Sequence, residues 1–222
     1  MTERTLIIGN KNYSSWSLRP WLALKQAGVD FTEVKLSLGA PEAKAELRRY
    51  SPTGRVPVLM DGALMIWESL SICEYVAECF PEANLWPKDR HARAHARSIS
   101  NEMHAGFAEL RQTMPMDLRT RYPRKEPTLA VQVDIDRITD IWQHCRQHFG
   151  RDGDGDLLFG SFTIADAMFA PVVTRFVTYD VPLAPICRAY AEAILALPAM
   201  QEWIKEAGEE TERVTPGLSG PV

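Results

Sequence analysis

Cysteine and clustered positive charge are scarce in this chain of 222 residues. It has four cysteines, 25 lysines and arginines against 29 aspartates and glutamates, and a formal net charge of −4. Without a basic cluster, the sequence gives no support for nucleic-acid binding. The cysteines are scattered through segments with helical patterning, so we expect reduced, mostly buried thiols rather than a disulfide framework. They are Cys73, Cys79, Cys145 and Cys187.

Long apolar runs are also missing. No stretch of about 18 consecutive apolar residues, the length associated with a membrane-spanning helix, occurs in the chain. The first residues, Met1 to Arg4, lead directly into a short apolar, β-branched run. We therefore expect neither a membrane span nor a secretory signal, and a cytoplasmic location.

Patterns of metal ligands are present only in part. His91 and His95, and likewise His144 and His148, lie one helical turn apart, but no further ligands follow at a spacing typical of zinc sites. The acidic run 152–156 begins like a calcium loop but lacks the glycine and the closing glutamate that such a loop requires. We therefore expect solvated helix faces, a turn and no metal.

The first third of the chain alternates between strand and helix patterns. The predicted elements are a strand at 5–9, a helix that ends near Gly28, a strand at 31–38, a helix at 42–50, a hairpin and a helix at 70–79. A right-handed βαβ unit joined to an antiparallel hairpin, with helices on both faces, is a thioredoxin-like α/β layout.

The predicted hairpin begins with a proline. Pro57 precedes two short apolar runs that are separated by Asp61-Gly62, a dipeptide typical of tight hairpins. Proline lacks an N–H and permits a cis bond after Val56. Either property turns the Val56 backbone N–H and C=O outward, where an extended peptide can pair with them. The alternative is an ordinary edge strand that starts with proline.

Glu68 and Ser69 open the helix that follows the hairpin. The Ser69 hydroxyl and the first free backbone N–H groups favour a carboxylate at the positive end of the helix dipole. Glu68 can receive an ammonium group. Together with Val56, these residues predict a seat for a small anionic peptide, whereas the alternative is that Ser69 only caps the helix.

These motifs resemble those of the cytosolic glutathione S-transferase family over nearly the whole chain. Val56-Pro57 before the hairpin and Glu68-Ser69 after it match the family's glutathione-site signature. The segment 13–19 resembles the serine-type active-site turn, closest to the zeta class, in which cysteine stands where this chain has Trp16. The resemblance implies that glutathione is the co-substrate, held by the signature residues and Arg55, and that the protein is a homodimer.

The resemblance also assigns the activation of the glutathione thiol to a serine. Laid on the zeta pattern without gaps, Ser14 and Ser15 match its two serines, and Arg19 matches its first arginine. A cysteine thiol has a pKa of about 8.5, and a hydroxyl that donates to the sulfur at a helix N-terminus lowers it. We expect Ser14, ahead of Ser15, in this role. The alternative for both is N-capping, and Arg19 either forms a surface salt bridge or shapes the turn.

The second half of the chain is predicted to be helical. Amphipathic stretches occur at 92–113, 129–149, 164–179, 185–195 and 198–207. We expect a thioredoxin-like glutathione-binding domain at 1–82, a linker at 83–90, an all-helical domain at 91–210 and a loosely held tail at 211–222.

Thr163 and Asp166 carry the most specific signal of this half. A threonine followed by an aspartate three residues later is typical of a capping box. The pattern of residues 160–166 resembles the folding motif of the same family's helical domain. We therefore expect a structural role and a buried Asp166.

A pocket for the electrophile is expected between the domains, facing Ser14. Trp16 is one candidate for its wall, and four residues at helical spacing on the first long helix of the second half are the others: Met103, Phe107, Arg111 and Met114. Core packing is the alternative for the apolar ones. A positive charge at Arg111 can hold an acidic electrophile.

The resemblance implies a transferase that conjugates glutathione to a small, largely apolar electrophile in detoxification. One alternative is a glutathione-dependent cis-trans isomerase of the maleylacetoacetate type, which adds the thiolate, lets the bond rotate and releases the thiolate. A second alternative is a non-catalytic protein of the same fold that carries ligands or binds partners.

Overall fold

Strands and helices alternate through the first third of the chain. The computed structural model describes residues 3–39, 43–123, 125–150 and 155–213. The order predicted from the sequence is confirmed, although the second strand is shorter than 31–38. The elements are β1 (Arg4–Ile8), α1 (Ser15–Gln26), β2 (Thr32–Lys35), α2 (Ala43–Tyr50), β3 (Val58–Asp61), β4 (Leu64–Trp67) and α3 (Ser69–Cys79), followed by a 3-10 turn at Pro81–Ala83.

The four strands form one sheet in the order β2-β1-β3-β4. β1 runs parallel to β2 and antiparallel to β3, and β3 pairs antiparallel with β4. The parallel pair requires a crossover, which α1 supplies. Leu6 and Ile8 pack in the main apolar core, whereas Ile7 packs with Leu36 and Leu47 in a second cluster on the other face. Both faces are therefore covered, and the thioredoxin-like layout is confirmed.

The hairpin brings the proline bond close to the start of α3. The Val56–Pro57 bond is cis, and β3 begins at the next residue. Gly62 lies in the turn between β3 and β4 with φ 60°, a conformation that glycine adopts without steric cost. Val58 pairs with Trp67, the last residue of β4. The cis bond and the first turn of α3 therefore lie at the same end of the hairpin.

The described chain beyond α3 is mainly helical. Its long central helix, α7, is buried along nearly its whole length and packs against both α1 and α4. This apolar contact joins the sheet to the helices, and the expected helical second domain is confirmed. The helices are α4 (Arg90–Ala105), α5 (Ala108–Thr113), α6 (Leu129–His148), α7 (Ile164–Thr178), α8 (Pro185–Ala196) and α9 (Pro198–Glu209).

The single helix predicted at 92–113 is wrong, because it is interrupted between α4 and α5. Gly106 has an extended backbone, and Phe107 follows with a left-handed φ of 58°. A Cβ atom at position 106 would lie 2.8 Å from the Glu102 carbonyl oxygen, so glycine allows the chain to turn there. The uniform helical spacing expected for the pocket residues is therefore wrong as well.

Thr163 and Asp166 form the predicted capping box at the start of α7. The fully buried Asp166 carboxylate accepts hydrogen bonds from Leu158 N–H (3.1 Å), Thr163 N–H (2.8 Å) and the Thr163 hydroxyl (2.9 Å). Burial raises the pKa of this carboxyl to about 6, and the hydrogen bonds oppose the rise. Asp166 therefore holds both the first turn of α7 and the chain that precedes it.

Some expectations fall outside the described residues. They concern the start of the second helix at Glu42, the acidic run at 152–154 and the end of the tail at 214–222. The linker at 83–90 stays a prediction, and residues 84–89 within it form neither helix nor strand. None of the described helices has the combined length and apolarity that crossing a membrane requires.

Replacement of Asp166 by alanine is expected to lower the free energy of unfolding by at least about 2 kcal/mol. A capping side chain is worth about 1–2 kcal/mol, and the change also leaves two buried N–H groups without an acceptor. Urea denaturation measures the loss. Asp89→Ala is the control, because the exposed Asp89 side chain caps the start of α4 by accepting from Ala92 N–H at 2.8 Å. Equal losses in the two variants would contradict the special role of Asp166.

Candidate active site

The turn at residues 9–14, here the Ser14 turn, leads from β1 into α1. Ser14 is the N-cap of α1, and its Oγ accepts from Ser17 N–H (3.4 Å) and donates to Ser17 Oγ (2.7 Å). Ser17 Oγ also accepts from Gly9 N–H (3.1 Å). Because Ser17 Oγ has this second donor, Ser14 can redirect its proton without leaving Ser17 Oγ unpaired.

Ser15 begins α1 and contacts the helical domain directly. Its buried Oγ accepts a hydrogen bond from Arg175 Nη2 at 3.0 Å. Arg175 lies on α7, where its Nη1 also donates to the Met114 carbonyl oxygen at 2.7 Å. The two neighbouring serines therefore differ, since Ser14 bonds to Ser17 in the first turn of α1 and Ser15 bonds across the interface between α1 and α7.

Trp16 is half-exposed and is surrounded by basic side chains. The guanidinium carbon of Arg19 lies 4.1 Å from its ring centroid, and that of Arg111 lies 5.6 Å away. The His104 ring meets the Trp16 ring edge-on at 5.2 Å. Trp16 and Arg111, both predicted from the sequence as pocket residues, are thus brought together.

Three arginines meet in this region; the Asp134 carboxylate attracts the Arg111 charge from a distance, and burial nevertheless lowers the pKa of Arg111. In the described part of the chain, no ion pair involves Arg19, Arg111 or Arg175. Burial and the charges of the other two lower the pKa of Arg19 to about 9, and burial and Arg111 lower that of Arg175 to about 10. Arg19 Nε and Nη1 have no hydrogen-bond partner among the described residues. The region therefore favours an anion, and the surface salt bridge considered for Arg19 is wrong.

The backbone beside the cis bond is free in the way the sequence predicts. Among the described residues, neither the N–H nor the C=O of Val56 takes part in a hydrogen bond. Pro57 is buried and Arg55 is exposed. The only hydrogen bond of Arg55 in that part of the chain joins its N–H to Ser51 Oγ at 3.3 Å. Val56 can therefore accept a further strand, and the Arg55 side chain projects into solvent.

Glu68 and Ser69 present complementary groups at the start of α3. Glu68 is exposed with a left-handed φ of 70°, and its carboxylate lies 3.6 Å from His104 Nε2. The Ser69 hydroxyl is buried and has no hydrogen-bond partner among the described residues. Since an unpaired buried hydroxyl costs free energy, this position at a helix N-terminus is suited to an anionic ligand.

Most of the apolar pocket candidates lie in the core. Met103, Phe107 and Met114 are buried within the main apolar cluster. These positions fit the core-packing alternative, and a role in the pocket wall stays a prediction for them. The break at Gly106 redirects the chain after α4. Arg111 is half-buried instead, and its Nη1 donates to the Met103 carbonyl oxygen at 3.3 Å.

Sequence reasoning missed two residues of this region, Arg175 and His104. Arg175 and Asp166 are the charged residues of the otherwise apolar α7, and a basic residue in such a helix was a usable signal. His104 joins Trp16 to Glu68, and nothing in its local sequence indicates this. Both contacts depend on how distant segments pack.

The thiol of Cys73, which lies near Arg19, is not suited to be a nucleophile. Burial raises the pKa of this thiol to about 12, although the Arg19 charge opposes the rise. It therefore stays protonated near neutral pH. The described residues contain no group of three or more histidine, cysteine or acidic side chains placed to hold a metal ion.

Known proteins match the chain in both of its parts. Family models for the N-terminal and C-terminal domains of glutathione S-transferase match residues 13–79 and 101–206. A probable maleylacetoacetate isomerase of Caenorhabditis elegans is 33% identical over 175 residues, covering 77% of this chain and 78% of that protein. A zeta-class glutathione S-transferase of Euphorbia esula is 27% identical over 191 residues, covering 85% and 84%.

A solved structure has a fold similar to that of this chain. A glutathione transferase homolog from Burkholderia gl BGR1, crystallised with bound glutathione, is 25% identical and superposes with a TM-score of 0.71 over 94% of this chain and 100% of that one. The two domain matches, the curated relatives and the common fold agree. The chain therefore belongs to the glutathione S-transferase family and lies close to its zeta class.

Proposed function

We propose that this protein is a glutathione transferase that binds glutathione against the hairpin and α3 and activates its thiol with a serine hydroxyl. The observation that carries the proposal is the buried Ser69 hydroxyl at the start of α3, which has no hydrogen-bond partner among the residues that the structure describes. It lies at the same end of the hairpin as the Val56 backbone, which makes no hydrogen bond within the described part of the chain, since Val58 and Trp67 are paired. The two features offer polar partners to one extended peptide.

The charges at this end of α3 match an α-amino acid group. The Ser69 hydroxyl and the free N–H groups of the helix's first turn can donate to a carboxylate, which the helix dipole favours. The exposed Glu68 carboxylate can accept from the ammonium group beside it. The γ-glutamyl end of glutathione carries both groups, so it is the end proposed to lie here.

The thiol is proposed to lie at the Ser14 turn. Lowering a thiol pKa by about two units takes about 2.7 kcal/mol, which a charge-assisted hydrogen bond and a helix N-terminus together can supply. Ser14 is proposed as the donor because Ser17 Oγ keeps the Gly9 N–H when Ser14 turns to the sulfur. Ser15 is second, since its Oγ already accepts from Arg175. The thiolate then attacks the electrophilic carbon and displaces the leaving group.

An acidic co-substrate is favoured by the arginines around Trp16. Arg19, Arg111 and Arg175 carry three like charges with no described ion-pair partner. A carboxylate of an electrophile would relieve their repulsion. This observation supports the maleylacetoacetate-type isomerase as a second candidate. The thiolate would add to the cis double bond, the resulting single bond would rotate, and expulsion of the thiolate would restore the double bond as trans.

The family resemblance supports three further proposals about the protein in the cell. They are a homodimer, a cytoplasmic location and a role in detoxification. No nucleic-acid or membrane partner is proposed, in keeping with the net charge of −4.

Ser14→Ala is expected to raise the pKa of the bound glutathione thiol by about one to two units, each worth about 1.36 kcal/mol. The kcat/KM with a chloronitrobenzene should fall about 3- to 25-fold at pH 7, because a pKa that rises from about 6.5 to about 7.5 or 8.5 reduces the thiolate fraction by that factor. Retention on glutathione resin should persist, since Val56 and Ser69 are unchanged. Ultraviolet absorbance of the thiolate as a function of pH measures the shift directly.

Ser15→Ala is the matched control for this experiment, and its effect on the thiol pKa should be smaller. Loss of activity in Ser15→Ala with full activity in Ser14→Ala would reverse the assignment. A wild-type protein that is retained on the resin but turns over neither a chloronitrobenzene nor a maleyl diketo acid would support the non-catalytic alternative.

Arg111→Ala is expected to raise the half-saturating concentration of a maleyl diketo acid by about tenfold, since a hydrogen bond between charged groups is worth about 1.5–3 kcal/mol. The same constant for a neutral chloronitrobenzene should stay unchanged. Steady-state kinetics with both substrates checks this. Arg137→Ala serves as the control, because Arg137 is an exposed arginine paired with Glu102 on the helical surface. Equal effects on the two substrates would contradict a role in holding the acid.

Methionine in place of Arg19 or Arg175 is expected to affect stability in different ways. Arg19→Met should leave the free energy of unfolding unchanged or raise it, because two guanidinium nitrogens of Arg19 have no described partner. Arg175→Met should lower it by about 1–3 kcal/mol, since Met114 C=O and Ser15 Oγ lose their donor. Maleate should raise the Tm of the wild type more than that of Arg19→Met. Similar losses of unfolding free energy in both variants would contradict the view that the positive charge of Arg19 lacks compensation.

A further inference from the structure

Residues from the end of the chain hold the Ser14 turn. Asn10, Lys11 and Asn12 are all buried, and several of their polar groups bond to residues after α9. Glu212 Oε2 accepts from Asn10 Nδ2 and from Ser37 Oγ, each at 2.6 Å. The loosely held tail expected from residue 211 onward is therefore wrong at Glu212.

Glu210, which directly follows α9, binds two consecutive backbone amides of the turn. Its Oε1 accepts from Lys11 N–H at 2.8 Å, and its Oε2 accepts from Asn12 N–H at 3.0 Å. The Glu210 side chain is only 4% exposed, and Lys35 Nζ lies 3.1 Å from Oε1. One carboxylate thus satisfies two buried N–H groups that would otherwise have no partner.

Arg119 extends the same attachment to the residue before Ser14. Its Nη1 donates to the Glu210 carbonyl oxygen, and its Nη2 donates to the Glu212 carbonyl oxygen at 2.7 Å. The same Nη2 donates to Tyr13 Oη at 3.0 Å. The segment after α9 and the Ser14 turn therefore share one guanidinium.

Lys11 fixes the turn to α9 through further contacts. Its Nζ pairs with Glu33 (2.7 Å) and with Glu206, a residue of α9. The ammonium group also lies 4.8 Å and 5.0 Å from the ring centroids of Trp21 and Trp203. Trp203 Nε1 donates to the Lys11 carbonyl oxygen at 3.0 Å. Position 11 is therefore held by its amide, its carbonyl and its side chain.

Hydrogen bonds within the turn couple the positions of Lys11 and Asn12 to that of Ser14. Tyr13 N–H and Ser14 N–H both donate to the Asn10 carbonyl oxygen, at 3.1 and 2.8 Å. A rotation of the peptide groups at Lys11 and Asn12 therefore changes the direction of the Ser14 Cα–Cβ bond. A hydroxyl that must meet a sulfur atom tolerates little such change.

We infer that Glu210 is a positioning residue for catalysis, which acts through the Ser14 turn without touching the substrate. The inference rests on the proposed function, because it gives Ser14 the thiol to activate. By holding the amides of Lys11 and Asn12, the Glu210 carboxylate sets the direction of the Ser14 hydroxyl. Glutathione binding at Val56 and Ser69 does not depend on it.

The test compares the wild type with Glu210→Ala, Glu210→Gln and the control Glu209→Gln, which changes an exposed glutamate one residue earlier. Glutamine keeps one of the two acceptor oxygens, so Glu210→Gln should be intermediate, and it carries the test if Glu210→Ala does not fold. Hydrogen exchange of the Lys11 and Asn12 amides, measured without glutathione, should be about tenfold faster in Glu210→Ala. The control should exchange like the wild type.

The second readout is the pH profile of kcat/KM with a chloronitrobenzene. The apparent thiol pKa should rise by about one unit in Glu210→Ala, while the KM for glutathione stays within about twofold of the wild type. A merely structural role would speed up exchange and leave the pKa in place, and that result would overturn the inference. Unchanged exchange would overturn it as well.

The two proposals fail in different ways. If the wild type itself leaves the thiol pKa at its solution value, the proposed function is overturned and the positioning role with it. If the wild type and Glu210→Ala lower the thiol pKa equally, only the positioning role is overturned.

Discussion

The hydrogen bonds that the buried Arg175 guanidinium donates connect the two parts of the candidate site. Arg175 lies on α7, whose apolar surface packs against α1, and it donates to Ser15 Oγ and to the Met114 carbonyl oxygen. It thereby connects the start of α1 with the chain that ends α5. Its charge is also one of three that make the region around Trp16 positive. The same side chain therefore helps to join the two parts of the chain and contributes to the positive charge of the candidate site.

This positive region serves both chemistries that are proposed for the protein. A thiolate and an acidic electrophile are both anions, and two anions brought together without compensating charge repel each other. Preorganised positive charge in a buried site offsets that repulsion and costs no reorganisation when the reaction occurs. Arg19, two of whose nitrogens have no partner among the described residues, and the half-buried Arg111 lie beside Trp16, where the proposed reactions would need such compensation.

Local signals predicted the fold and the geometry of the hairpin well. Pro57, the Asp61-Gly62 turn and the pair Thr163/Asp166 act over a few residues, so their structural meaning can be read in the sequence. The prediction of a single helix at 92–113 was wrong because it followed the regular spacing of apolar residues and ignored Gly106, where α4 ends.

Contacts over long sequence separations could not be predicted in this way. The hydrogen bond between Ser15 and Arg175 joins residues 160 positions apart. The spacing of apolar residues near either position does not indicate it. The burial of Met103 and the place of His104 beside Trp16 likewise depend on how helices pack. The sequence therefore predicted Trp16 and Arg111 as members of this region. It missed Arg175 and His104, because their contacts depend on how the helices pack.

The contact between Glu210 and the Ser14 turn also has a consequence for synthesis. The ribosome adds Glu210 199 residues after Lys11, the residue whose amide it binds. A nascent chain that has made its sheet and α1 still lacks the acceptor for the Lys11 and Asn12 amides. The N-terminal part can therefore take its fold early in translation, but the serine proposed to activate the thiol is held in place only after Glu210 has been synthesised.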